Sequence, residues 1–169
     1  ISFGDQGNIL VFNGASIPTT SATIVANAAY FDGVRGTWFK APLVYSRSIN
    51  KVAVLDVNRD GFKDIVITNV VNAKVFGVFG KAATWPGSVN LDNTFLNGTN
   101  GFTLYSGIAV NGESVFNVGD VNNDNFEDFV LRGNQYPKRN DVVLVFGKAT
   151  WPALEDLSNM LDGKKATTI

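Results

Sequence analysis

The sequence predicts an all-β fold built from tandem copies of one structural unit. Three observations support this prediction. Apolar residues come in runs of four to six that are rich in Val, Ile and Phe and are bounded by Gly, Asn, Asp and Pro. Helix-period patterning over ten or more residues is missing, and whole segments recur 64 to 67 residues further along the chain.

The repeat is clearest in two segments. Val78–Pro86 recurs as Val145–Pro152 with one Ala dropped, so each copy contains Val-Phe-Gly-Lys-Ala and ends in Trp-Pro. Asp56–Ile67 recurs as Asp120–Leu131, and seven of these twelve positions are identical. Such agreement makes chance similarity within an ordinary β-sandwich improbable, although a sandwich is the competing fold.

A third, weaker copy opens the chain, where Asn8–Gly14 matches Asp141–Gly147 in pattern, and Phe12, Phe79 and Phe146 are evenly spaced by 67 residues. The chain then divides into the end of one unit (1–16), a unit with the first Asp-rich loop (17–90), a unit with the second (91–156) and the start of a fourth (157–169).

Each complete unit is expected to contain about four strands, which is typical of a β-propeller blade. The fold prediction is two complete four-stranded blades with partial blades at both ends. One helical turn is predicted near Leu154–Met160. The apolar runs that predict strands are Val52–Leu55, Ile65–Thr68, Val75–Phe79, Val115–Val118, Phe129–Leu131 and Val142–Phe146.

The two Asp-rich loops are predicted calcium sites. Calcium takes six to eight oxygen ligands in flexible geometry, and a nine-residue loop with oxygen side chains at positions 1, 3, 5 and 9 and a free carbonyl at position 7 supplies such a set. Position 6 requires a left-handed backbone, which Gly61 and Asn125 both tolerate. The predicted ligands are Asp56, Asn58, Asp60, the Phe62 carbonyl and Asp64, and then Asp120, Asn122, Asp124, the Phe126 carbonyl and Asp128.

Two alternatives for these loops are weaker. EF-hands and dockerin modules start with the same Asp-x-Asn-x-Asp pattern but place an acidic ligand at position 12, where this chain has Ile67 and Leu131. Polar turns that cap hairpins also use Asp and Asn. Two loops in phase, each with a ninth-position Asp and a β-branched or aromatic run after it, favour calcium.

Composition excludes several classes of function. The chain has no Cys and no His, so it lacks disulfides, thiolate metal sites, Ser-His and Cys-His mechanisms and imidazole zinc sites, and we expect a non-enzyme. The net charge is −1 with no basic run, so nucleic-acid binding has no support. No stretch approaches the length of a membrane-spanning helix, and membrane insertion is not expected.

At the Asp-rich loops and the Val-Phe-Gly-Lys-Ala linkers, the sequence resembles the FG-GAP repeats of integrin α-subunit propellers and their relatives in prokaryotic and algal surface proteins. The resemblance covers most of the chain, although residues 17–49 match poorly. It implies a propeller of about seven blades in which each loop joins the first two strands of a blade and the ion stiffens one face. It also implies that further blades or further subunits complete the ring, because this chain has too few units.

The resulting expectation is a calcium-stabilised segment of an extracellular or cell-surface adhesion or structural protein that contacts proteins or glycans. The alternatives are a lectin-like propeller and the accessory propeller of a larger secreted enzyme. Trp85 and Trp151 suit either sugar stacking or wedges between blades, and we favour wedges. Asn97-Gly98-Thr99 matches an N-glycosylation acceptor.

Overall fold

The computed structural model describes residues 8–13, 30–41, 49–69, 73–105, 114–133, 142–161 and 166–168. These residues form an all-β fold, as the sequence predicts, with one 3₁₀ turn at Leu157–Asn159. The strands are β1 (Asn8–Phe12), β2 (Gly36–Lys40), β3 (Ile49–Leu55), β4 (Asp64–Asn69), β5 (Lys74–Val78), β6 (Ser88–Asn90), β7 (Gly101–Tyr105), β8 (Ser114–Gly119), β9 (Asp128–Arg132), β10 (Val142–Val145), β11 (Leu154–Asp156) and β12 (Ala166–Thr168).

The strands form three sheets. Sheet I has the order β1-β2-β6, sheet II has the order β11-β7-β5-β4-β3, and sheet III has the order β12-β10-β9-β8. Most neighbours are antiparallel. The exceptions are β6 and β11, which pair in parallel with β2 and β7. Each therefore adds an outer strand to the sheet that precedes it in the chain.

Sheet II lies between the other two sheets, and this position explains why β4 is buried at all six residues. Ile65 and Ile67 point into one apolar cluster, which sheet II shares with sheet I, and Val66 points into a second cluster, which it shares with sheet III. A strand that is covered on both faces has a continuous apolar sequence rather than an alternating one. The run Ile65–Thr68 has that pattern.

The two clusters are the cores of the described fold. The cluster between sheets I and II contains Ile9, Phe39, Ile65, Ile67, Phe76, Val78, Val89, Leu91 and Leu96. The cluster between sheets II and III includes Leu55, Val57, Val66, Phe102, Leu104, Phe129, Leu131, Val145 and Trp151. Each core therefore joins residues from two sheets, so the sheets stabilise one another rather than folding around separate interiors.

The six apolar runs that predict strands in the two complete units form β3, β4, β5, β8, β9 and β10, although the three sheets contain three, five and four strands rather than four each. The predicted helical turn is confirmed only in part, because the 3₁₀ turn covers Leu157–Asn159 and the residues before it form β11. The sheets also do not follow the sequence units one to one. Sheet II takes β7 and β11 from beyond residue 90. The boundary at 16/17 lies outside the described residues.

The match of Asn8–Gly14 with Asp141–Gly147 aligns Phe12 with Val145, and so with Val78, and the strand pairing agrees with this alignment rather than with the even spacing of Phe12 and Phe79. Phe12 pairs with Gly36, and the residue that pairs with the corresponding Gly101 is Val78. The backbone N–H of Asn13 donates to Arg35 O at 3.0 Å, as that of Phe79 donates to Asn100 O at 3.0 Å. Strand pairing, rather than the spacing of aromatic residues, sets the register of the first copy.

Candidate metal-binding loops

Both Asp-rich loops join the first two strands of a sheet. The first begins at Asp56, directly after β3, and reaches Asp64, which pairs with Leu55. The second begins at Asp120, directly after β8, and reaches Asp128, which pairs with Gly119. The predicted ligands of each loop are therefore held by the end of one antiparallel strand pair.

In the first loop, side-chain oxygens accept backbone N–H groups of the same loop. Asp56 accepts from Asp60 N at 3.1 Å and from Gly61 N at 3.0 Å, and Asp60 accepts from Phe62 N at 2.8 Å. Asn58 Nδ2 donates to Asp60 Oδ2 at 2.9 Å. These bonds curve the loop so that its backbone N–H groups point toward the carboxylate oxygens of Asp56 and Asp60.

The second loop repeats this network bond for bond. Asp120 accepts from Asp124 N at 3.0 Å and from Asn125 N at 2.7 Å, and Asp124 accepts from Phe126 N at 2.9 Å. Asn122 Nδ2 donates to Asp124 Oδ2 at 2.9 Å. Two loops that differ at several positions thus adopt one conformation.

Backbone dihedrals agree with the prediction for position 6. Gly61 has φ 85° and Asn125 has φ 70°, both in the left-handed region. Position 4 is left-handed as well, since Arg59 has φ 59° and Asn123 has φ 62°. This second left-handed position is not predicted from the loop pattern. Asn123 is a residue type that tolerates the conformation, but Arg59 carries no such signal.

The ninth-position aspartates face inward. Asp64 is fully buried and accepts from Val57 N at 2.8 Å and from Gly80 N at 2.7 Å. Asp128 is also fully buried and makes the same contacts, with Val121 N at 2.9 Å and Gly147 N at 2.8 Å. Each carboxylate therefore links the start of its loop to a glycine two positions after the third strand of the unit: Gly80 after β5, or Gly147 after β10.

This tie explains the glycine of the repeated Phe-Gly pair. A Cβ atom on Gly147 would lie 2.6 Å from Glu127 O and 2.6 Å from Phe126 Cβ, and one on Gly80 would lie 2.7 Å from Phe62 Cβ. Only glycine lets the backbone N–H come close enough to reach the buried carboxylate. The glycine of the repeated motif thus packs closely against the loop and hydrogen-bonds its ninth-position Asp.

Burial raises the pKa of the Asp64 carboxyl to about 7. The N–H groups of Gly80 and Val57 oppose this shift, and the negative charges of Asp60 and Asp56 add to it. The pKa of Asp128 is raised for the same causes, in which burial comes first and Asp124 and Asp120 contribute repulsion. Each loop therefore holds negative charge that a cation would neutralise.

The donor chemistry of each loop fits a hard cation, because every predicted ligand is an oxygen atom and an ionised carboxylate keeps lone pairs beyond the hydrogen bonds described above. The side chains are not closed around a common centre, however. No group of three or more acidic side chains in the described ranges is arranged to hold a metal ion. The ninth-position carboxylates are turned onto backbone N–H groups instead.

The two loops contact each other through Glu127. Its carboxylate accepts from Asp56 N at 2.6 Å and forms an ion pair with Lys63 Nζ at 2.6 Å. Burial raises the pKa of Glu127, but the hydrogen bonds from Lys63 and Asp56 and the charge of Lys63 outweigh burial and hold that pKa below its usual value. Glu127 was not among the predicted site residues. The sequence signal for it is the opposite charge of Lys63 and Glu127 at the same loop position.

The two repeated Trp residues pack between sheets. Trp151 is 3% exposed and stacks on Phe102 with ring centroids 4.1 Å apart, and Lys148 Nζ lies 4.5 Å from its ring centroid. Trp85 is half-buried with its ring centroid 5.6 Å from that of Phe39. These contacts support the wedge interpretation. A sugar-binding Trp needs an exposed ring face, which Trp151 does not offer.

Asn97, the predicted glycosylation acceptor, is exposed. Its Oδ1 accepts from Thr99 N at 3.0 Å and from Asn100 N at 3.1 Å, so it starts a turn that continues through Gly98 at φ 86°. Asp32 makes the equivalent turn just before β2, where its Oδ1 accepts from Val34 N and Arg35 N. The turn therefore belongs to the repeat.

Comparison with family models, with curated proteins and with solved structures finds no match for this chain. Among the described residues, no helix has the length and apolar character needed to cross a membrane.

Proposed function

We propose that this chain is a calcium-stabilised β-propeller segment of an extracellular adhesion, cell-surface or structural protein, in which each loop binds one Ca²⁺. The observation that carries the proposal is the identical hydrogen-bond network of the two loops, each with an oxygen-only donor set and a buried ninth-position Asp. The resemblance to FG-GAP repeats supports the same function. Bound calcium would offset two of the three carboxylate charges of each loop and would stabilise the loops structurally, without catalysis.

A further sheet of the same repeat is the proposed partner of sheet III. Phe116 on β8 pairs with Val130, as Ala53 on β3 pairs with Val66. Ala53 is 7% exposed because sheet III covers it, whereas Phe116 is 56% exposed. The outer face of sheet III thus presents an apolar residue at a position that is covered in sheet II, and a further blade or subunit would bury it.

Calcium titration tests the metal proposal. The expected result is two bound Ca²⁺ per chain and a melting temperature that rises by roughly 11–22 °C over the value in EDTA at calcium concentrations about a hundred times Kd, since such an excess adds about 2.7 kcal/mol at each of the two sites. Asp60→Ala and Asp124→Ala should each remove one site. A melting temperature that is indifferent to EDTA and calcium would sink the metal claim.

No contact of the described residues favours the lectin-like alternative or the accessory-propeller alternative. The repeated Trp residues that could stack on a sugar, Trp85 and Trp151, pack their rings against Phe39 and Phe102. The proposal therefore rests on the loops.

A further inference from the structure

The joint between the two loops is built from four hydrogen bonds to one short piece of backbone. Glu127 accepts from Asp56 N at 2.6 Å and donates its own N–H to Asp56 O at 3.2 Å. Lys148 N donates to Val57 O at 3.0 Å, and Asn117 Nδ2 donates to Val54 O at 3.0 Å. Residues of the second unit thus form hydrogen bonds with the backbone of Val54, Asp56 and Val57, where the first loop begins.

Asp56 is the residue that this joint holds most completely. Glu127 contacts both its N–H and its carbonyl, and both its carboxylate oxygens accept N–H groups from within the first loop. The contact joins residues 71 positions apart in the chain. The second loop has no such support, since no described residue makes the corresponding contacts to the backbone of Asp120.

Lys63 adds a second point of attachment. Its ammonium group lies 2.6 Å from Glu127 Oε1 while Glu127 Oε2 accepts from Asp56 N. The carboxylate therefore spans positions 1 and 8 of the first loop. Neither Lys63 nor Glu127 is a predicted metal ligand, so the bridge leaves every ligand oxygen available.

We propose that Glu127 is a positioning residue for the first loop: it holds Asp56 in place, so that docking of the second unit preorganises the first cation site. This inference rests on the proposed calcium function. Its physical basis is that a ligand fixed before binding loses less conformational freedom when the ion arrives. Because coupling is reciprocal, a cation in the first loop also strengthens the docking of the second unit.

The test compares Glu127→Ala with Glu127→Gln. Both variants remove the charge, but only Ala removes the acceptor for Asp56 N–H. Calcium affinity of the first loop is measured calorimetrically with the second loop disabled by Asp124→Ala, and that of the second loop with the first disabled by Asp60→Ala. Glu155→Gln is the matched control, since it removes another part-buried ion pair, with Lys148, that lies within the second unit.

The expected result is that Glu127→Ala binds calcium in the first loop about fivefold more weakly than Glu127→Gln, as the loss of one hydrogen bond predicts. The two variants should bind equally in the second loop, and Glu155→Gln should leave the first loop unchanged. Equal affinities of the Ala and Gln variants in the first loop would overturn the proposal, as would the same Ala–Gln difference in the second loop.

Hydrogen exchange in EDTA provides a readout that does not depend on metal. The Asp56 amide is expected to be protected in the wild-type protein and in Glu127→Gln and to exchange fast in Glu127→Ala, with far-UV circular dichroism showing that all three are folded. A fast Asp56 amide in the wild type would also overturn the proposal. If the wild type binds no calcium, the proposed function fails, and the exchange of Asp56 still decides whether Glu127 positions it.

Discussion

Replacement of Asp64 by Ala tests whether the ninth position of the loop is a structural tie as well as a predicted ligand. The carboxylate accepts hydrogen bonds from Val57 N at 2.8 Å and Gly80 N at 2.7 Å, and all three residues are buried. Ala would leave both N–H groups without an acceptor. A buried N–H group that loses its acceptor costs about 1–3 kcal/mol.

The expected loss in the free energy of unfolding is smaller than the cost of two unsatisfied N–H groups. Burial of the Asp64 carboxylate is itself unfavourable, and it raises the pKa of that carboxyl to about 7. We expect the free energy of unfolding to fall by about 3 kcal/mol, which for a chain of this length corresponds to a melting temperature about 6–12 °C lower. Asp64→Asn keeps one acceptor oxygen and should lose about half as much.

The assay is thermal unfolding in EDTA at pH 7, followed by circular dichroism, so that metal binding does not contribute. Asp128→Ala is the matched variant, since it breaks the same pair of bonds in the second unit. Asp60→Ala is the control, because Asp60 is exposed and supports only local loop contacts. If Asp64→Ala destabilises the metal-free protein no more than Asp60→Ala, the reasoning from buried N–H groups is refuted.

Two further predictions concern pH and association. In EDTA, the free energy of unfolding should rise as pH is lowered from about 8 to 5. The pKa of Asp64 is about 7 in the folded protein against an ordinary value of 3.8, so between these values the folded chain holds a proton that the unfolded chain has released. Ionisation of Asp64 therefore favours unfolding, and the loss of stability is complete above pH 7. Urea unfolding across this range checks the slope, which Asp64→Asn should flatten; a slope of the opposite sign contradicts the assignment. Phe116→Ser should reduce self-association in sedimentation velocity while it changes the melting temperature by no more than about 1–2 °C, because the ring is exposed. A wild-type chain that is monomeric at high concentration would contradict association of two copies through this face.

Local features of the loops were predictable because they depend on residues close together in the chain. A left-handed backbone at position 6 follows from Gly61 and Asn125, and the strands that flank each loop follow from short β-branched runs. Calcium itself stays a prediction, because the described side chains do not form a closed metal centre.

The register of the first copy depends on a whole segment and not on one residue type, as Phe12 demonstrates. The even spacing of Phe12 and Phe79 differs by one residue from the strand pairing, whereas the match of Asn8–Gly14 with Asp141–Gly147 agrees with it and makes Phe12 the counterpart of Val78. A spacing rule assumes that no residue is gained or lost between copies. Hydrogen bonding across the sheet does not depend on that assumption, so it decides the register.

The sequence by itself determined the all-β class, the repeat and the positions of the two loops, because short-range periodicity and turn chemistry encode these features locally. Tertiary structure alone decided that β6 and β11 extend the preceding sheets, that Asp64 and Asp128 turn inward onto backbone N–H groups, and that Glu127 reaches Asp56 across 71 residues. The first two join residues that are far apart within one unit, and the contact of Glu127 with Asp56 depends on how one unit packs against the next, so no local sequence pattern specifies them.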